Sequence, residues 1–82
     1  MIRETTDITD RKALTIFVRN LAHDLRANPE QWENATLPEY LLAIAAWTED
    51  MDGYYANSGR QLPDTPSWSM LAEILAAAAI YE

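Results

Sequence analysis

The stretch from Thr36 to Gly59, T-L-P-E-Y-L-L-A-I-A-A-W-T-E-D-M-D-G-Y-Y-A-N-S-G, constrains the fold more than any other part of the chain. Thr36 with Glu39 three residues on is a capping box: the threonine hydroxyl accepts from the third backbone N–H and the glutamate carboxylate reaches back to the cap amide. Pro38 falls in the first turn, where a missing N–H costs nothing. At about 100° per residue, Leu37, Tyr40, Leu41, Ile44, Trp47, Thr48, Met51 and Tyr55 form one broad stripe that has to face a core. Leu42, Ala46 and Gly53 lie opposite, so a second element is expected there and the helix reads as the central one. Gly53 admits two readings, since glycine inside a helix costs about 1 kcal/mol relative to alanine. Either the helix stops at Met51–Asp52 with Gly53 as its cap, or it runs on to Asn57 and Gly53 makes room for a neighbour. Tyr54 and Tyr55 extend the period, and Asn57-Ser58-Gly59 is the better stop, so continuation is favoured.

The flanking segments supply two more helices. Asp7 or Thr9 can cap a first helix reaching about Ala27, with Leu14, Phe17, Val18, Leu21 and Leu25 on its apolar side and Lys12, Ile16, Arg19 and His23 opposite. Asn28-Pro29 ends it, because the residue before proline avoids the helical region and asparagine tolerates a left-handed cap. A short extra turn near residues 29–33 then presents Trp32 to the core. Beyond the central helix, Gly59, Pro63 and Pro66 mark a connection, with Thr65 as cap and Pro66 as first residue of a last helix to Tyr81. That helix is apolar nearly all round: Trp68, Leu71, Ala72, Leu75 and Ala79 on one side, Met70, Ile74, Ala77 and Tyr81 on another. It must be buried on more than one face, by the Trp32 turn or by a second copy. The predicted fold is all-α, a single small domain of three main helices (about 9–27, 36–57 and 66–81) with residues 1–8 as a flexible tail. Trp32, Tyr40 and Trp68 are expected to clamp the short turn and the last helix onto the central one, with Thr36, Glu39 and Gly53 as further structural positions.

At 82 residues the chain buries only about 60% of its unfolded surface, so its stability should be modest. Hydrophobic residues make up 49% of it, which argues against disorder. The absence of cysteine removes disulfides, thiolate metal sites and a cysteine nucleophile. There is no signal region and no apolar run of about 18 residues, so a cytoplasmic location is expected and no membrane contact. Net charge is −7, unevenly placed. Residues 1–26 carry five basic and four acidic side chains (+1), and residues 27–82 set Arg60 alone against nine acids (−8). Such a body repels nucleic acid and attracts a cationic protein.

Chemistry narrows the choices further. The segment Glu49-Asp50-Met51-Asp52-Gly53 invites a calcium loop, but counting from Asp50 puts Tyr54, Tyr55 and Gln61 at the fifth, sixth and twelfth positions, where a calcium loop needs an oxygen donor, glycine and glutamate. No metal and no cofactor are expected. The one histidine, His23, sits on a polar helix face with no triad partner in its own helix. Glu49 and Asp52 share a helical side, yet no cleft is indicated over them. No phosphate-binding glycine loop is present. The chain reads as a non-enzyme. Trp47, Tyr54 and Tyr55 beside Glu49, Asp50 and Asp52 form the candidate binding surface, of a kind that suits an arginine- or lysine-rich partner. Asp52 has an alternative role as a buried anchor accepting from an indole or backbone N–H.

The segments Trp32-Glu33-Asn34, Tyr40-Leu41, Ala46-Trp47, Asp50-Met51-Asp52-Gly53-Tyr54-Tyr55, Asn57 with Gly59, Pro66-Ser67-Trp68 and Tyr81-Glu82 resemble a widespread family of small uncharacterised bacterial proteins. The resemblance runs from about Leu14 to the end and implies a small bacterial domain with no assigned activity. It leads one to expect a polar residue where this chain has Leu42. The leading functional expectation is an acidic protein-interaction module, of an inhibitor or immunity type, that masks a basic partner. The alternatives are a homo-oligomeric structural protein joined through the last helix, and a small-ligand binding domain.

Overall fold

The computed structural model describes residues 5–81 and is all-helical among them. Helix α1 spans Arg11–Ala27, a 3₁₀ turn Pro29–Gln31, helix α2 Leu37–Asn57 and helix α3 Trp68–Ala78. The three helices and the extra turn stand where the sequence placed them, with shifted ends. Asp10, rather than Asp7 or Thr9, caps α1, its carboxylate accepting from Ala13 N at 2.8 Å. Asn28 closes α1 with φ −135°, so it does not use the left-handed conformation. Ser67, rather than Thr65, caps α3 by accepting from Met70 N at 3.0 Å, which leaves Pro66 just outside the helix. Thr36 caps α2, with its hydroxyl accepting from Glu39 N at 3.4 Å. Only that half of the capping box forms among the described residues. The predicted tail falls partly outside the description at residues 1–4, while at its end Ile8 packs on the core and the Thr5 carbonyl accepts from Ser69 Oγ at 2.8 Å.

The central helix is α3. It packs against both α1 and α2, while α1 and α2 make no close backbone approach to one another. Its all-round apolar sequence is divided between two clusters. Ala72, Ala76 and Ala79 meet Phe17 and Leu21 of α1 and the Trp32 ring, while Met70 joins Trp47, Met51 and Tyr55 of α2, with Ile74, Ala77 and Tyr81 at its edge. The alanines let α1 approach closely, so one short helix carries two neighbours. The broad α2 stripe is therefore only partly used. Ala43, Trp47, Met51 and Tyr55 are buried, but Leu37 is 69% exposed, and Leu41 and Thr48 also face outward. Among the described residues no element covers the opposite side: Leu42 is 73% exposed and a Cβ at Gly53 would meet nothing within 4 Å. Gly53 is thus an interior helical residue without a packing role. Trp32 and Tyr40 lie with their rings 5.8 Å apart, the indole tying the short turn to α1 through Asp24 Oδ2 and the Tyr40 hydroxyl tying α2 to α3 through the Leu75 carbonyl, both at 2.8 Å. Trp68 is no clamp, because as the first residue of α3 it lies beyond the packed region, exposed.

The end of α3 is closed from outside the helix. A helix leaves its last carbonyls without internal donors. Leu75 O receives the Tyr40 hydroxyl, Ala78 O receives Asn34 Nδ2 at 2.9 Å, and Ala79 O receives Asn34 N at 3.1 Å. Short i→i+3 bonds from Ala79 N and Ile80 N serve Ala76 O and Ala77 O, and the second Nδ2 hydrogen of Asn34 reaches Tyr81 O at 2.6 Å. Asn34 therefore fixes the turn that carries Tyr81.

Candidate functional site

Two turns of α2 separate Trp47 from Tyr54, which places them on one side of the helix with ring centroids 4.8 Å apart. Tyr81, delivered by the Asn34-capped end of α3, meets Trp47 edge-on at 5.3 Å, and its hydroxyl donates to Asp50 Oδ2. That hydrogen bond to a carboxylate raises the Tyr81 pKa. The three rings wall a groove of about 720 Å³ that Thr5, Thr6, Ser58, Arg60, Glu73, Ala76, Ala77 and Ile80 complete. Its size is that of a small-molecule or side-chain site. Trp47 Nε1 is buried and is the one side-chain polar atom so buried, among the described residues, without a hydrogen-bond partner.

Arg60 lines the groove, and local backbone chemistry puts it there. Gly59 adopts φ +71°, the left-handed conformation that a residue with a Cβ resists. The Gly59 N–H then reaches Ala56 O at 3.1 Å and the Arg60 N–H reaches Tyr55 O at 2.9 Å, the paired closing bonds of a helix end turned back on itself. In that geometry residue 60 folds over the last turn. The Arg60 guanidinium lies 4.2 Å from the Tyr55 ring centroid and 5.5 Å from that of Tyr54. Glu73 of α3 grips both partners, accepting from the Tyr55 hydroxyl at 2.6 Å and from Arg60 Nη2 at 3.2 Å. Burial, followed by the hydrogen bond to Glu73, pushes the Tyr55 pKa up to about 12. The Arg60 side chain keeps 46% of its surface in solvent against 18% for Glu73, so the arginine is the loosely held member.

The six candidate site residues separate into three groups. Trp47 and Tyr54 line the groove and Asp50 borders it through Tyr81, whereas Tyr55 is buried beneath Arg60. Glu49 and Asp52 are exposed on other sides of α2; at about 100° per residue Asp52 stands about 160° around the helix from Tyr54. Asp52 is not an anchor: its carboxylate bonds only the adjacent Gly53 N, at 2.8 Å. The carboxylates that do anchor other elements are the half-buried Asp24, which accepts from the Trp32 indole, and Glu73, which accepts from the Tyr55 hydroxyl. His23 is exposed on α1, and no group of three or more metal-ligating side chains occurs among the described residues. Arg60, Glu73 and Tyr81 were missed. Their side-chain hydrogen-bond partners lie 13 to 31 residues away in sequence, and only the left-handed signal at Gly59 foreshadowed where Arg60 would fold.

A family model described as a family of unknown function (DUF7660) matches residues 10–82. The chain belongs to this family. Comparison with curated proteins and with solved structures gives no match. In this DUF7660 chain, several segments behind the resemblance turn out to hold the fold together. Trp32 and Asn34 fasten the 3₁₀ turn to α1 and α3, Asp50 holds Tyr81, Met51 and Tyr55 fill the second cluster, and Ser67 caps α3. Glu82 lies outside the described residues. No helix among the described residues is long and apolar enough to cross a membrane.

Proposed function

We propose that this DUF7660 chain is a non-enzymatic acidic interaction module whose groove between α2, the connection after Ser58 and α3 receives a basic segment of a partner protein. The observation that carries the reading is the juxtaposition of an aromatic wall (Trp47, Tyr54, Tyr81) with the carboxylates of Asp50 and Glu73, in a stretch of chain charged −8 after residue 26. Aromatic faces attract cations, and the surrounding negative field raises the encounter rate with a positive surface. Exposed Glu49 and Asp52 add to that field without touching the groove. The unpaired donor of Trp47, a groove residue, supports a site completed by another molecule, since a buried donor of this kind is usually satisfied. The proposal extends to an inhibitor or immunity-type role that masks a basic partner.

The test is titration of a short lysine- and arginine-containing peptide into the full chain at low and high salt, with Tyr54→Ala beside it. Tyr54 is 42% exposed, so its truncation spares the core. Binding that weakens with salt, and by roughly 1 kcal/mol or more in Tyr54→Ala, supports the module. Binding indifferent to both overturns it.

A second reading, self-association, has its own observation. Most of the last helix is already packed against α1 and α2, with Trp68 and Leu71 as its exposed large apolar side chains. An apolar groove of about 290 Å³ does open between α1 and the start of α2, lined by Val18, Leu25, Trp32, Leu37 and Tyr40, with Leu41 and Leu42 exposed nearby. Sedimentation over a wide concentration range decides it: a concentration-independent monomer removes this reading.

A further inference from the structure

We infer that Tyr54, Tyr55 and Glu73 form an arginine seat beside the groove, and that Arg60 occupies it as an intramolecular stand-in which an arginine side chain of the partner displaces. The inference rests on the basic-partner reading above and names the side chain that reading requires. Tyr55 offers its face, Tyr54 a second face, and Glu73 Oε2 a carboxylate oxygen in line with a guanidinium nitrogen. A planar guanidinium satisfies both demands at once, stacking on a ring while donating within its plane. An ammonium has no plane to stack. Glu73 is held in position by the Tyr55 hydroxyl whether or not a cation is present, so the seat is built before the partner arrives.

The occupant is removable. Arg60 is the sole basic residue after position 26, it projects from the connection rather than from a helix, and nearly half its side chain is in solvent. Its backbone is fixed by the N–H bond to Tyr55 O, so the side chain can swing away without unwinding α2. An ion pair and a cation–π contact made by an arginine that is nearly half in solvent hold such a side chain in place by only about fivefold to tenfold. A ligand that needs the seat empty is weakened by that same factor. Arg60 thus sets a threshold: it rejects weakly held cations and yields to an arginine that brings further contacts along the Trp47–Tyr54–Tyr81 wall.

The experiment uses two peptide amides of equal length and charge, one with arginine and glycine alternating, the other with lysine in place of arginine. Each is titrated into the full native chain, Arg60→Gln, Arg60→Lys and Glu73→Gln, with the melting temperature of each variant recorded. The native chain should prefer the arginine peptide. Arg60→Gln should raise affinity for the arginine peptide about fivefold or more and widen its lead over the lysine peptide, and Glu73→Gln should erase the lead. Removing a positive charge favours both peptides alike, so the ratio isolates the seat. Arg60→Lys keeps the net charge and a cation beside Glu73, and still predicts a gain for the arginine peptide, which decides the matter should Arg60→Gln prove unstable. If both peptides gain equally in Arg60→Gln, or arginine holds no lead in the native chain, the seat is overturned while the basic-partner reading stands. If neither peptide binds any form, both fall together.

Discussion

Replacing Asn34 by alanine tests how the aromatic groove is held. The Asn34 amide spends both its hydrogens on the end of α3, at 2.9 Å to Ala78 O and 2.6 Å to Tyr81 O. Ala78 is fully buried, so its carbonyl would lose a donor in a place that water reaches poorly. Each such bond contributes about 1 kcal/mol net, and stranding a buried acceptor costs more, so Asn34→Ala should lose roughly 2–3 kcal/mol. A domain of this size has about 4–12 kcal/mol in total. At about 4–8 °C per kcal/mol, the melting temperature should fall by roughly 10–20 °C in circular dichroism. In urea the midpoint should drop with an unchanged slope. Asn34→Asp should be worse, because it sets a carboxylate against two carbonyl oxygens. Glu33→Ala, at an exposed neighbour, should stay within about 0.5 kcal/mol of native. An Asn34→Ala protein within about 0.5 kcal/mol of native would refute the account, since α3 would then end without help and Tyr81 would need another reason for its position.

Three further outcomes follow from single residues. The fold raises the Tyr55 pKa from 10.0 to about 12, so it favours the protonated phenol; that stabilisation is complete below pH 10 and is lost as pH rises through 12. Native stability should therefore fall across that window, and Tyr55→Phe should flatten the fall while losing about 1 kcal/mol at neutral pH, read by urea midpoints at each pH. Tyr40 and Tyr81, also raised, leave a residual slope. Gly59→Ala should cost about 1–2 kcal/mol in urea titration, because its φ of +71° is strained for alanine, and it should loosen Arg60 with it. Asp52→Asn should leave the melting temperature unchanged, as expected of an exposed carboxylate on open helix surface.

The sequence was most readable where structure is decided by neighbours in the chain. Thr36, Pro38 and the Asn57-Ser58-Gly59 stop bounded α2 because caps and left-handed closures are local events. Gly53 did not break the helix, since its cost of about 1 kcal/mol is small beside the burial of Trp47, Met51 and Tyr55. Which helix stands in the middle was not readable from α2. A long apolar stripe shows what can be buried, not what finds a partner, and Leu37, Leu41 and Leu42 found none. The better signal was α3, apolar on all sides and rich in alanine, which can be buried only between two neighbours. Competing caps misled at both other helix starts, where Asp10 and Ser67 prevailed over residues only a few positions earlier. In the groove, the pairing of Trp47 with Tyr54 follows from a spacing of seven. Tyr81 and Glu73 reach it through tertiary contacts that no local pattern records, whereas Arg60 is folded over the last turn by the left-handed Gly59.

The central claim, that the groove binds a basic segment, is tested most directly by titrating the arginine–glycine peptide into isotopically labelled chain and mapping the amide and indole resonances that move. The account predicts shifts concentrated at the Trp47 indole N–H, Tyr54, Ser58, Arg60, Glu73 and Tyr81, saturating together. Shifts confined to α1 and the Leu37–Leu42 surface, or no saturable shift at all, would contradict it.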